Sequence, residues 1–144
     1  MNYVEQCLFD FFHNINLIDS LTFQLASLTS VMAQGYNVHV YNSQNDPVTA
    51  VLIRKERIEN RINRIKKKII PVKKLDDSLS LHELRTHQMK NILHKKYWQH
   101  KNLDELIHEL GLSKSTIKRR NKELLQRAKD CFHDFHTASG ENCI

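Results

Sequence analysis

The stretch LDELIHELGLSKSTIKRR, residues 103–120, decides the fold of the C-terminal half of this 144-residue chain. Its apolar residues recur at helical spacing on both sides of Gly111, which favours two helices joined by a tight turn with a positive φ. Asn102 and Glu105 have the spacing of a capping box and mark the start of the first helix. Ser113 can cap the second helix. The stretch therefore predicts a helix-turn-helix.

The second helix of this motif carries short hydroxyls and flexible cations on the side away from the apolar contacts. Such side chains at the start of a helix can enter a major groove and meet base edges and phosphates. We therefore predict a site for double-stranded DNA at Lys101, Ser113, Lys114, Ser115, Thr116, Lys118, Arg119 and Lys122. The predicted base readers are Lys114, Ser115 and Lys118. The predicted phosphate contacts are Arg119, Lys122 and Lys101. An ordinary helical hairpin is the alternative interpretation of the same spacing.

The positive charge of the chain is confined to one block. All 22 lysine and arginine residues lie between Arg54 and Lys129, together with only nine acidic residues. The residues before and after this block carry acidic side chains and no basic ones. A block of this sign attracts polyanions, because neutralised phosphates release condensed counterions. A solvated face of long helices is the plainer interpretation.

Composition favours a mostly helical chain, with three Gly and two Pro in all. No apolar run approaches the ~20 residues that a membrane span needs. The N-terminus lacks the basic segment of a secretory signal. The three cysteines are scattered and form no CxxC, which fits unlinked thiols in a reducing cytoplasm.

Residues 1–71 are predicted to form an N-terminal helical region that serves oligomerisation or partner binding. Its last element is a long basic helix, in which Asp46 caps the start and Pro47 takes the first position. Pro71 is expected to end this helix. A narrow apolar stripe along the helix needs a partner, either the N-terminal helices of the same subunit or another copy of the chain. Of the two, we expect it to join copies. This stripe consists of Ile58, Ile62, Ile65 and Ile69.

The remaining residues are predicted to form a linker, a domain and a tail. Residues 72–77 are the expected linker, and residues 78–131 the helix-turn-helix domain. Ser80, with Glu83 at capping-box spacing, is expected to open a helix with Leu81 and Leu84 on its apolar side. Residues 132–144 are expected to be a frayed tail. The predicted fold class is all-α.

Other clusters do not predict a chemical site. Cys131, His133 and His136 provide only three ligands, and the first two point to different sides of a helix, so no metal site is predicted. The chain contains no HExxH, GxSxG, P-loop or GxGxxG, so neither an enzyme nor a cofactor is predicted. Trp98 is expected to pack beneath the helix-turn-helix with Tyr97, and stacking of Trp98 on nucleic acid is the alternative.

The stretch NLDELIHELGLSKSTIKRRNKELL, residues 102–125, resembles the final helix-turn-helix of sigma factors, region four. The wider pattern resembles the ArpU/RinA-type phage regulators of late transcription. That pattern includes SQNDPV at 43–48 before a long helix, HQMKNILHKKYW at 87–98 and the basic helix that ends near Ala128. Two residues depart from it: Ile107 replaces a small alanine, and Arg120 replaces an apolar residue, which leaves the tilt of the recognition helix open.

The resemblance implies a sequence-specific transcription activator of phage late genes, those for packaging, structure and lysis. It implies a homo-oligomer bound to double-stranded DNA in the cytoplasm of the bacterial host, with host RNA polymerase as a further candidate partner. Two alternatives stay open. One is a small terminase subunit that recognises phage DNA for packaging, and the other is an adaptor whose basic helix binds an acidic partner.

Overall fold

The computed structural model describes residues 2–33 and 47–138, and every regular element in these ranges is helical. In chain order the elements are α1 (Tyr3–Phe9), α2 (Phe11–Ala33), α3 (Pro47–Ser78), α4 (Leu84–Ile92), a π-helical segment (Leu93–Trp98), α5 (Leu103–Leu110) and α6 (Lys114–Ala138). The predicted all-α fold class is therefore confirmed. No helix in the described ranges is long and apolar enough to cross a membrane.

The chain divides into two compact units, and both α2 and α3 contribute residues to each. One unit contains Met1–His13 together with Lys68–Ile144, and the other contains Asn14–Lys67. In the first unit α1 packs on α6 and on the π-helical segment, while α4 and α5 also pack on α6. Pro47 is the first residue of α3, as predicted, whereas its predicted cap, Asp46, lies outside the described residues.

The prediction that Pro71 ends α3 is wrong, because the helix continues through Pro71 to Ser78. A proline inside a helix costs about 3 kcal/mol, since it removes a hydrogen bond and its ring clashes with the preceding turn. Burial offsets this cost: Pro71, Val72 and Leu75 are each less than 2 % exposed. Fully burying one aliphatic side chain contributes roughly 1.5–3 kcal/mol. Residues 72–77 are consequently part of α3, with Val72 and Leu75 in the core, and not a linker.

Asp76 joins the last turns of α3 to the elements that follow it. His94 Nε2 lies 2.7 Å from Asp76 Oδ1. Lys90 Nζ donates to the backbone oxygen of Asp76 at 3.1 Å and lies 3.7 Å from Oδ1. These contacts hold α4 and the π-helical segment against the end of α3.

The predicted helix start at Ser80 is also wrong, because α4 begins at Leu84. The hydroxyl of Ser80 accepts a hydrogen bond from the backbone N–H of His82 at 3.1 Å. Thr86 Oγ1 donates to the backbone oxygen of Ser80 at 2.7 Å. Bonds of this kind compete with a first helical turn and stabilise a bend instead. Leu81 and Leu84 are therefore 62 % and 73 % exposed and do not form the predicted apolar side.

Helix α6 extends beyond the point where the tail was expected. It continues through Phe132 to Ala138, and Phe132 and His136 are both buried. The ring of Phe132 meets the ring of Tyr3 edge to face, with centroids 5.9 Å apart. Residues 132–138 are thus packed helix, stabilised in part by α1.

Trp98 lies within a stack of aromatic rings in the first unit. Its ring is nearly parallel to those of Phe11 and His94, at centroid distances of 4.9 and 4.4 Å. Phe12 contacts it edge to face at 5.2 Å. Three rings of the protein therefore contact the indole, and Trp98 is half-buried among them. Trp98 therefore packs in the fold, but the rings that contact it belong to α2 and the π-helical segment. Of the two residues expected beneath the helix-turn-helix, it is Tyr97 that bonds to α6.

Candidate nucleic-acid interface

The start of α5 is set by the predicted capping box. Asn102 Oδ1 accepts a hydrogen bond from the backbone N–H of Glu105 at 2.9 Å. Glu105 Oε1 in return accepts one from the backbone N–H of Asn102 at 3.5 Å. Two N–H groups that the helix cannot satisfy itself are paired in this way. Leu106, which follows the box, is 1 % exposed and fixes α5 against the rest of the unit.

Gly111 forms the turn between α5 and α6 and has φ 65° and ψ 26°. Its backbone N–H donates to the backbone oxygen of Ile107 at 3.0 Å, which closes the end of α5. A Cβ at this position would meet no atom within 4 Å. Glycine is therefore favoured here by its left-handed backbone conformation and not by lack of space. The predicted positive φ is confirmed.

Hydroxyl groups close the N-terminal end of α6. Ser113 Oγ accepts a hydrogen bond from the backbone N–H of Thr116 at 3.2 Å, which confirms the predicted cap. The same oxygen lies 2.8 Å from Thr116 Oγ1 and 3.2 Å from Ser115 Oγ. Three of the predicted DNA-contacting residues thus share one small hydrogen-bonded group. Ser113 is engaged as a cap, while Ser115 beside it is exposed.

The rotation of α6 about its own axis is fixed by buried contacts. Ile117, Leu124 and Ala128 lie on one face and are at most 2 % exposed. From the π-helical segment, the hydroxyl of Tyr97 donates to Asn121 Oδ1 at 2.6 Å. Burial raises the pKa of Tyr97, so its hydroxyl keeps the proton that it donates.

Arg120 adds a polar contact in place of an apolar one. Its Nε donates to Gln88 Oε1 on α4 at 2.8 Å, and its Nη1 lies 3.2 Å from Glu123 Oε1. The side chain is only 12 % exposed. The tilt of α6, which the sequence left open, is therefore held by an arginine bonded across two helices. Sequence patterns did not identify Asn121 or Gln88 as partners, because neither contact follows a local spacing.

Four cations project from the first turns of α6 into solvent. They are Lys114, Lys118, Arg119 and Lys122, and all four are exposed. Within residues 2–33 and 47–138 none of them forms an ion pair or a side-chain hydrogen bond. Lys114, Lys118 and Lys122 follow one another at four-residue steps and so line one side of the helix. The structure brings this set together with Ser115 on one end of α6.

The direction of charge along α6 opposes the helix dipole. The N-terminus of a helix carries partial positive charge and favours acidic side chains, while its C-terminus favours basic ones. Helix α6 has no acidic residue in its first turn and begins with Lys114. Asp130 and Asp134 lie nearer its other end. This order does not stabilise the helix, but it concentrates positive potential where N–H groups already attract anions.

Lys101, the remaining predicted contact, lies before α5 and is paired at the protein surface with a carboxylate of that helix. Its Nζ donates to Glu109 Oε1. Lys95 Nζ lies 3.5 Å from the other carboxylate oxygen of Glu109. The hydrogen bond from Lys101 holds the pKa of this carboxyl below its ordinary value, so Glu109 stays ionised. Lys101 thus differs from the four exposed cations of α6, because it already has a carboxylate partner.

The residues considered as metal ligands form no such site. Among the described residues, no group of three or more His, Cys, Asp or Glu is arranged to hold a metal ion. Burial raises the pKa of the Cys131 thiol, which disfavours the thiolate that binds metals.

A scan against models of known protein families found no match, and searches of curated proteins and of solved structures found none either.

Proposed function

We propose that the protein is a sequence-specific DNA-binding activator of phage late transcription, in which α5, the Gly111 turn and α6 form a helix-turn-helix. The observation that carries this proposal is the set of exposed, unpaired cations at the N-terminal end of α6. They oppose the dipole of their own helix and are not needed for its packing. A partner that supplies phosphates would account for these cations. Its phosphate groups would pair with the positive side chains and would also accept hydrogen bonds from the N–H groups at the start of the helix.

In this proposal the side chains of α6 divide by position. Lys114, Ser115 and Lys118 lie nearest the end that would enter a major groove, and they read base edges. Arg119 and Lys122 lie where they would meet phosphates on the groove wall. Lys101 joins them after it leaves Glu109. The protein acts as a binding protein without an enzymatic step or a cofactor, in the cytoplasm of a bacterial host.

An assembly of copies at a promoter is part of the proposal, since one short DNA-reading unit rarely contacts enough bases alone. The isoleucine stripe is a poor seam for it, because Ile58, Ile62 and Ile65 are already at most 8 % exposed within one chain. Phe23 is a better candidate for the seam. It is 75 % exposed and lines an apolar groove of about 250 Å³ between α2 and α3.

Binding to double-stranded DNA should weaken steeply as salt concentration rises. Each phosphate neutralised by a cation releases counterions, so log affinity should fall with log salt by about 0.9 per phosphate contact. The measurement is a set of fluorescence-anisotropy titrations with a labelled duplex at several salt concentrations. Affinity that does not change with salt would contradict the proposal. A large ring that binds only a packaging site would favour the terminase alternative.

Removing the charge of Glu109 should tighten DNA binding. Glu109→Gln frees Lys101 and Lys95 from their ion pairs, so both can approach phosphates. We expect roughly three- to tenfold higher affinity at low salt and a steeper salt dependence. Asp104→Asn is the matched control, because it removes one exposed acidic charge from the same helix. Equal gains in the two variants would show that only net charge matters and that Lys101 is no phosphate contact.

A further inference from the structure

A second basic surface lies on α3, in the unit formed by Asn14–Lys67. Four arginines recur along this helix at steps of three, four and three residues, which places them on one face. We call this face the arginine row; it consists of Arg54, Arg57, Arg61 and Arg64, and all four residues are exposed. The buried stripe that contains Ile58, Ile62 and Ile65 lies on a neighbouring face.

The arginine row has no acidic partner. No Asp or Glu lies three or four residues from any of its members, although these are the spacings at which a helix pairs opposite charges. By contrast, Lys55 on the same helix forms an ion pair with Glu59, with 3.9 Å between Nζ and Oε1. Within the described ranges, none of the four arginines has an ion pair or a side-chain hydrogen bond. Like charges at these spacings oppose helix formation, so the row is not explained by the stability of α3.

The residue type and length of the row match a sugar–phosphate backbone. Arginine presents a planar fork of donors that binds phosphate through two parallel hydrogen bonds, whereas lysine acts as a point charge. The row extends about 15 Å from Arg54 to Arg64, at about 1.5 Å per residue. Four successive nucleotides of one DNA strand occupy a similar axial length, at about 3.4 Å each.

We infer that the arginine row is a second DNA-binding surface, which binds the phosphate backbone of a duplex independently of base sequence. It lies on a different helix from the proposed base readers and belongs to the other compact unit. The inference takes its partner, duplex DNA, from the proposed function but does not require that α6 reads bases. Its expected contribution is affinity for any sequence.

The test compares two double variants of the full chain that lose the same charge. Arg57→Gln/Arg61→Gln removes two members of the row. Lys66→Gln/Lys73→Gln removes two exposed lysines from another face of the same helix. With a duplex of random sequence, the arginine variant should lower the salt slope by about two and reduce affinity at least tenfold at low salt. The lysine variant should lower the salt slope by less than half of the decrease seen with the arginine variant.

Equal losses in the two variants, or no loss in the arginine variant, would overturn the inference. Stronger competition by polyglutamate or by duplex RNA than by duplex DNA would also overturn it, since the row would then serve an acidic protein or RNA. A different result would contradict the proposed role of α6 alone. In that case Lys118→Ala would leave DNA binding unchanged, while the arginine variant would still weaken it.

Folding of the variants is checked by thermal melting, and glutamine is expected to preserve the helix because its propensity is close to that of arginine. If the arginine variant unfolds, two further double variants that keep the net charge can replace it in the test. Arg57→Lys/Arg61→Lys should still lose affinity, because lysine cannot bind phosphate through a fork. Lys66→Arg/Lys73→Arg should lose none. Affinity that is unchanged in the first of these variants would count against the inference.

Discussion

Replacing Leu75 by alanine is expected to lower the free energy of unfolding by about 2–5 kcal/mol, because it leaves a cavity in a packed core. Leu75 is completely buried, although it belongs to the segment that the sequence indicated as a linker. Trp98 is the only tryptophan and lies in the same unit, so its fluorescence during urea unfolding reports on this core. The midpoint of unfolding should move to a lower urea concentration, while the slope of the unfolding free energy against urea concentration stays the same.

Lys73→Ala is the control for this experiment, because Lys73 is exposed two residues away on the same helix. Its effect should be within about 0.5 kcal/mol, as for most surface substitutions. If Leu75→Ala were as mild as Lys73→Ala, residues 72–77 would be behaving as a linker. The continuous course of α3 through Pro71 would then have to be abandoned.

Lys118→Ala should cost roughly 1–3 kcal/mol on the preferred DNA site and relax the preference for the base that it contacts. The site is first obtained by selecting bound duplexes from a random pool. Lys118 is exposed on the first turns of α6, and no ion pair in the described chain restrains it. Affinity is then compared between the selected site and a scrambled duplex of the same length.

Lys122→Ala is the matched comparison, because it removes the same side chain one helical turn further along. As a phosphate contact, Lys122 should contribute equally to both duplexes, so its loss weakens them alike and lowers the salt slope by about one. If the two variants behaved identically on selected and scrambled DNA, the division between base readers and phosphate contacts would be wrong.

The boundaries that the sequence predicted well are those set by short-range bonds. Asn102 and Glu105 satisfy each other across three residues, and Gly111 needs only its own backbone conformation. Ser80 and Glu83 have the same spacing as that capping box but do not form it. The difference lies in Thr86, whose hydroxyl bonds to the backbone of Ser80 and stabilises the bend. A spacing pattern cannot distinguish these cases, because the competing donor is outside the motif.

The features that the sequence did not predict depend on contacts between distant residues. Pro71 is retained inside α3 where Val72 and Leu75 are buried. Asp76 in the same turns bonds to Lys90 and His94, which lie much further along the chain. The exposure of Lys114 and Lys118 followed from helical spacing alone. The neutralisation of Lys101 by Glu109 did not, because it joins a residue before α5 to one near the end of that helix.

The contact between Tyr3 and Phe132 closes a loop that contains most of the described chain. Because the entropy lost on closing a loop grows only logarithmically with its length, this long connection costs little more equilibrium stability than a shorter one. Its effect should instead be kinetic, since contacts between residues distant in sequence slow folding. In sequence, Asn14–Lys67 is thus an insertion into the other unit. The two segments of that unit, before and after the insertion, must come into contact during folding. For a helical protein of this size, we expect the late docking of α1 on α6 to limit the rate of folding.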